Sequence, residues 1–187
     1  IKEETGMIYV FLANGFEEVE ALTPVDVLRR AGCQVKTVGV GGLEVTGSHG
    51  VTVRADLEEK DVETDEIEMV VLPGGMPGTL NLEKSPIVRA AVEAAAEAGA
   101  WVAAICAAPS VLGHYGLLKG REATCFPGFE QELHGAVFTG APVTVSGNII
   151  TGRGAGAAMA FALALAEALK GKEAAQAIGS AMCVPGM

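Results

Sequence analysis

The chain predicts an α/β fold, with a mainly parallel sheet covered by helices on both faces. Short apolar runs at 7–13, 69–72 and 101–105 are continuous rather than alternating, as in strands buried on both sides. They take turns with helix-length segments at 16–31, 85–98 and 154–169, and strands that alternate with helices imply a parallel sheet. No internal repeat, low-complexity tract or linker interrupts that order.

Taken in order, 7–13 is the first strand, and 16–31 is a helix stopped by Gly32. Residues 34–40 form a second strand. Residues 43–55 alternate around glycines and predict a small hairpin or edge excursion, and the acidic 56–68 reads as a solvated connection. The third strand, 69–72, leads into Pro73-Gly74-Gly75-Met76-Pro77-Gly78. In the helix at 85–98, Ser85 is the N-cap, Pro86 the first helical residue and Gly99 the stop. The strand at 101–105 runs directly into Cys106. Beyond Gly120, 143–146 and 149–151 predict a hairpin around Gly147-Asn148, followed by helices at 154–169 and 172–179.

The 187 residues suit one domain, expected over 7–187, with 1–6 as added or flexible N-terminal residues and Met7 as the natural start. The net charge, 13 − 23 = −10, opposes nucleic-acid and anionic-membrane partners, which select basic surfaces. The longest greasy stretch, 155–169, contains Glu167 and falls short of the roughly 20 residues that span a bilayer. No signal-peptide pattern is seen. Cys33, Cys106, Cys125 and Cys183 show neither a CxxC pair nor zinc spacing, so reduced thiols in a cytoplasm are expected.

Cys106 stands between a strand and the small residues Ala107-Ala108-Pro109-Ser110, which can open a helix. The partial positive charge and free N–H groups of a helix start favour thiolate, the reactive form. A buried cysteine acting as a small hydrophobe is the other reading of the same segment. Asn14-Gly15, Pro73-Gly74-Gly75 and Cys106 each follow a strand, and parallel sheets build sites at those ends. Glycines 74 and 75 would let backbone N–H groups approach an oxyanion, or could simply make a tight turn. At about 100° per residue, Glu20 shares a stripe with Phe16, Val27 and Ala31. A desolvated carboxyl there would stay protonated and serve as acid and base. Glu17 and Glu18 need no role beyond complementing the helix dipole. His49, His114 and His134 do not adjoin Cys106 in sequence and read as surface or helix-end residues. With no HExxH, CxxC, Walker A or complete GxGxxG, neither metal nor cofactor is expected; Gly152-Arg153-Gly154-Ala155-Gly156 reads as a helix cap.

These residues together resemble the ThiJ/PfpI (DJ-one) family, within the class I glutamine amidotransferase-like superfamily. The likeness runs from Met7 to about Gly179. It rests on Ala13-Asn14-Gly15-Phe16-Glu17-Glu18-Val19-Glu20, on Pro24-Val25-Asp26-Val27-Leu28-Arg29-Arg30-Ala31-Gly32 and on Val71-Leu72-Pro73-Gly74-Gly75. Ala104-Ile105-Cys106-Ala107-Ala108-Pro109 and Thr151-Gly152-Arg153-Gly154-Ala155-Gly156 complete it.

The resemblance implies a flavodoxin-like three-layer α/β/α sandwich and a homodimer built on the first helix, where Asp26 and Arg30 could serve. It implies Cys106 as a nucleophile at a strained elbow and Glu20 as its protonated partner. Gly75 and Ala107, with Gly74, would form the anion pocket. Two positions depart from the common pattern. Thr124-Cys125-Phe126-Pro127 stands where a histidine often lies, which points to a bacterial branch. Ser48-His49-Gly50 replaces Ser-Arg-Gly, so His49 could make the site's charge depend on pH near about 6.5. Phe126, Cys125 and His49 are therefore expected to line the site. The implied activity is cofactor-independent attack on a small aldehyde, or on a glycated amine or thiol, as in glyoxalases and deglycases. The alternatives are an oxidative-stress sensor or chaperone, and an amidase of the PfpI branch. That branch has histidine after the nucleophile, where Ala107 stands here. The historical label of thiazole monophosphate biosynthesis finds no residue in its favour.

Overall fold

A computed structural model describes residues 6–187, so all but Gly6 of the expected N-terminal extension lies outside the described residues. Seven strands form the central sheet: β1 (Met7–Ala13), β2 (Val35–Val40), β5 (Leu57–Glu58), β6 (Ile67–Leu72), β7 (Trp101–Ile105), β10 (Val143–Ser146) and β11 (Ile149–Gly152). Their order is β10-β11-β7-β6-β1-β2-β5, and every pair is parallel except the β10–β11 hairpin. The mainly parallel α/β architecture is the expected one.

Strand β1 shows why the sheet needs two helical layers. Ile8, Val10 and Leu12 face one core, and Tyr9, Phe11 and Ala13 face the other. Helices α1 (Glu18–Arg30), α5 (Ala158–Lys170) and α6 (Lys172–Ala181) cover the first face through residues such as Val27, Phe161 and Ala175. Helices α2 (Gly78–Lys84), α3 (Pro86–Glu97) and α4 (Pro109–His114) cover the second through Leu82, Val92 and Leu112. Ser85 caps α3 as expected, its hydroxyl accepting from the Val88 N–H at 3.2 Å.

The expected hairpin in 43–55 forms as β3 (Glu44–Thr46) and β4 (Thr52–Arg54), outside the main sheet. The acidic 56–68 stretch is solvent-exposed over 60–61 and 63–66, as expected, but its start is held to the sheet. Asp56 accepts from the Thr37 N–H and hydroxyl and pairs with Arg29 at 2.7 Å, which anchors β5 as the edge strand. Helix α2, in a stretch for which the sequence predicts no element, is anchored by Leu82 alone among its large apolar side chains, Leu80 being exposed. Two short strands, β8 (Glu122–Ala123) and β9 (Val137–Phe138), pair apart from the sheet.

Candidate active site

Strands β7, β6 and β1 are neighbours and run in parallel, so residues 106, 73–75 and 14–17 meet at one edge. The Glu17 N–H donates to the Gly74 carbonyl at 2.9 Å, which locks two of these loops together. Cys106 follows β7 with φ +67°, a left-handed conformation that costs a residue with a Cβ about 1–3 kcal/mol. Hydrogen bonds on both sides hold it there. Its N–H donates to the Gly152 carbonyl at 2.9 Å, and the Phe126 N–H donates to its carbonyl at 2.8 Å. The sharp turn sends the thiol toward α1 instead of along the strand.

Glu20, in the first turn of α1, is 1% exposed and hydrogen-bonded to the Cys106 thiol. Its Oε2 also accepts from the Gly74 N–H at 3.0 Å. A Cβ at Gly74 would lie 2.6 Å from both the Cys106 Cβ and Glu20 Oε2, so glycine is what permits this approach. Gly74, expected in the anion pocket with Gly75 and Ala107, lies beside the thiol but gives its N–H to Glu20. The amides of Gly75 and Ala107 do bond to Cys106.

Burial pushes Glu20 up to about 7, against the pull of its bonds with Cys106 and Gly74. Burial also pushes the Cys106 thiol up to about 12, helped by the charge of ionised Glu20 and the bond to it. The Ala107 and Gly75 amides pull it down. The helix start was expected to favour thiolate. Its amides act in that direction, but burial and Glu20 outweigh them. The two groups therefore do not ionise together, and from about pH 7 to about 12 they share one proton. Thiolate forms when that proton rests on Glu20, which then donates to the sulfur and no longer repels it.

The remaining expected site residues fall into two sets. Phe126 borders the elbow through its N–H and lines a cavity of about 580 Å³ with Pro127, Pro142, Arg153 and Gly154. Cys125 is fully buried in the second core, and burial raises its thiol to about 11. His49 is engaged elsewhere: its Nδ1 lies 3.0 Å from Glu18 and 3.3 Å from Glu17. The groups that set the Cys106 titration are Glu20, Ala107 and Gly75, without His49. Glu18 is more than a dipole partner, since it accepts from the His49 and Val51 N–H groups and clamps the 48–51 loop to α1. Asp26 and Arg30 pair with each other along α1 at 2.9 Å. Gly152 and Arg153 carry part of the resemblance and otherwise read as a helix cap, and their places at the elbow and cavity depend on the β11–β7 pairing. Among the described residues, two groups could gather three metal-type ligands: Glu17, Glu18 and His49, and His114, Glu132 and His134.

A family model described as the DJ-1/PfpI family matches residues 7–168. The chain belongs to this family. It is 38% identical to protein dj-1beta of Drosophila melanogaster over 94% of this chain and 95% of that protein. It is 31% identical to the glutathione-independent glyoxalase DJR-1.2 of Caenorhabditis elegans, covering 90% of each. The solved structure of oxidized Toxoplasma gondii DJ-1 superposes with a TM-score of 0.93 at 34% identity, covering 97% of this chain and all of that one. The DJ-1/PfpI assignment and the α/β architecture thus agree.

Proposed function

We propose that this DJ-1/PfpI protein is a cofactor-independent, cysteine-dependent enzyme acting on reactive carbonyls, as glyoxalases and deglycases do. One observation carries the reading. A thiol on a positive-φ elbow shares a proton with a buried carboxyl, under two backbone amides. With the proton on Glu20, the Cys106 thiolate adds to an aldehyde such as methylglyoxal. The C–S bond forms, the C=O π bond breaks, and the oxygen takes the Glu20 proton to give a hemithioacetal. Glu20, now carboxylate, removes the C1 proton and returns it to C2, while the proton of the C1 hydroxyl passes to the C2 oxygen, leaving a thioester on Cys106. Water cleaves that thioester, releasing a hydroxy acid and the thiol. Atoms and electrons balance without an external oxidant. Donors near the sulfur suit the oxyanion of each addition.

The same addition would remove early adducts from glycated amines or thiols. The C. elegans relative's name, a glutathione-independent glyoxalase, supports the class. A reducing cytoplasm suits four cysteines that form no disulfide with one another. Among the described residues no helix is long and apolar enough to cross a membrane. The outward Val19 and Leu22 of α1, with Val51, support a homodimer on that face. The test is turnover of methylglyoxal by purified wild type, Cys106→Ser and Glu20→Gln. Loss in both variants is expected, and unchanged turnover in either overturns the mechanism.

A second reading rests on the same amides. Peroxide would take the thiolate to sulfenic and then sulfinic acid, releasing hydroxide and then water, with the N–H groups of Gly75 and Ala107 holding the new oxygens. The oxidized form of the Toxoplasma protein supports it. Intact mass after mild peroxide should show two oxygens on Cys106. Their absence, or equal oxidation of Cys183, would remove this reading.

A further inference from the structure

Helix α4 begins three residues after Cys106 and ends at His114, where a separate cluster of side chains gathers. His114 Nε2 lies 2.8 Å from Glu132 Oε2, and His134 Nε2 lies 4.0 Å from the same oxygen. One ligand atom from each of the three fits within 4.8 Å of the others. We propose that His114, Glu132 and His134 form a surface site for a divalent transition-metal ion of the zinc type. It would have three protein ligands and an open fourth position.

Three features distinguish this cluster from a chance meeting of charges. First, ligands about 2.0–2.1 Å from a tetrahedral ion stand about 3.3 Å apart, and the observed 2.8 and 4.0 Å bracket that spacing. Small rotations of exposed side chains would suffice. Second, His114 Nδ1 is already hydrogen-bonded to the Glu83 carboxylate, whose backbone carbonyl accepts from the Tyr115 hydroxyl at 3.1 Å. The Glu83 carboxylate keeps a proton on Nδ1, so a metal need displace only the Nε2 proton that Glu132 now accepts, the usual backing of a metal-ligating histidine. Third, the backbone is built for the approach. A Cβ at Gly113 would lie 2.1 Å from the Glu132 carbonyl and 2.9 Å from the His134 N–H, so only glycine brings the end of α4 this close. Leu133, 4% exposed, is buried in the second core between the two proposed ligands and fixes their segment.

Two imidazoles and one carboxylate select Zn²⁺, Ni²⁺ or Cu²⁺ over Mg²⁺ and Ca²⁺, which prefer all-oxygen sites. The spacing rules applied to the sequence could not find this site, because its residues converge from α2, α4 and the 130–134 turn. It is also independent of the carbonyl chemistry.

The test is calorimetric titration of the full chain with Zn²⁺ in excess Mg²⁺, alongside the absorption spectrum of the Co²⁺ form. One equivalent should bind. His134→Gln, at an exposed position, should weaken binding at least about tenfold, and Glu83→Gln about 10- to 100-fold. Zn²⁺ should raise the Tm of wild type but not of His134→Gln. Cys106→Ser should bind Zn²⁺ as wild type does, and the Co²⁺ form should lack a thiolate-to-metal charge-transfer band. The proposal is overturned by an absence of binding, by an affinity in His134→Gln within twofold of wild type, or by a thiolate band.

Discussion

Glu18 and Glu20 stand two residues apart in the first turn of one helix, and both are nearly buried, at 8% and 1% exposed. They titrate in opposite directions. Burial pushes both upward. At Glu18 it is overcome by hydrogen bonds from its own N–H, the His49 ring, and the His49 and Val51 N–H groups, which hold the carboxyl below its ordinary value. Glu20 receives one backbone N–H, from Gly74, and a bond with the thiol, and the charge of Glu17 adds to burial, so burial prevails and carries it to about 7. The donors around each carboxyl, together with how deeply it is desolvated, decide whether it anchors a loop as an anion or handles a proton near neutral pH.

The largest effect expected from breaking this arrangement is on turnover. Glu20→Gln keeps the shape and can still accept from Gly74, but it cannot hold or return a proton. Methylglyoxal kcat/KM should fall about 10²- to 10⁴-fold. The pH profile should change as well. Wild type should gain activity as pH rises through about 7, where the pair loses its first proton. In the variant the rise should move above 7 and follow the Cys106 thiol alone, which burial still holds up while the charge and hydrogen bond of Glu20 no longer act on it. An inflection that stays near 7 would place the titrating group elsewhere.

Gly74→Ala attacks the same pair through space. The new methyl would lie 2.6 Å from both Cys106 Cβ and Glu20 Oε2, with the Ile105 carbonyl at 2.9 Å behind it. Overpacking of this kind costs about 1–3 kcal/mol. Denaturant melts should show that loss, and turnover should fall because Glu20 and the thiol are forced apart. A variant as stable and as active as wild type would mean the contact is looser than described.

Glu20→Gln should also stabilise the protein at alkaline pH. Its folded pKa, about 7, exceeds the ordinary 4.5, so the folded state keeps a proton that the unfolded chain releases. Stability linked to Glu20 is full below 4.5 and is lost as pH rises through about 7. The loss is at most about 3 kcal/mol. The variant has no such loss. Its advantage in Tm over wild type should appear at pH 8 and vanish at pH 4.5. Glu18, with its lowered pKa, works in the reverse sense, adding stability above 4.5 that is lost as pH falls through its folded value.

How much of this was legible in the sequence follows from how local each cause is. Strands β1, β6 and β7 were readable because burial on both faces demands unbroken apolar runs. Glu20 was readable because an acid on the stripe of Phe16 and Val27 has to enter the core. Glu18 was not, since its donors arrive from a loop some thirty residues later. The edge strand β5 was hidden for the same reason: Asp56 looks like one more surface acid until Thr37 and Arg29 are folded against it. The direction of the Cys106 shift stays open between the two readings of its segment, because a strand–helix junction announces its amides but not how far burial and a carboxylate offset them.

The smallest effect should come from His49, which replaces the arginine expected at its position and was read as a possible source of pH dependence in the site. Its ring is bound to Glu18 first and then feels the charge of Glu17, so its pKa is raised above 6.5. The favourable contact is full below 6.5 and is lost as pH rises through the folded value. His49→Ala removes one donor from Glu18 but leaves its own N–H and those of residues 49 and 51. The Glu18 carboxyl, followed by NMR, should therefore shift upward and remain well short of Glu20. His49 reaches the proton shared by Glu20 and Cys106 only through the charge of Glu17, the smallest of the influences on Glu20, so the turnover inflection near 7 should stay close to its place. If it moves by more than a few tenths of a pH unit, Glu17 couples the loop to the site and the contrast between the two glutamates is one of degree.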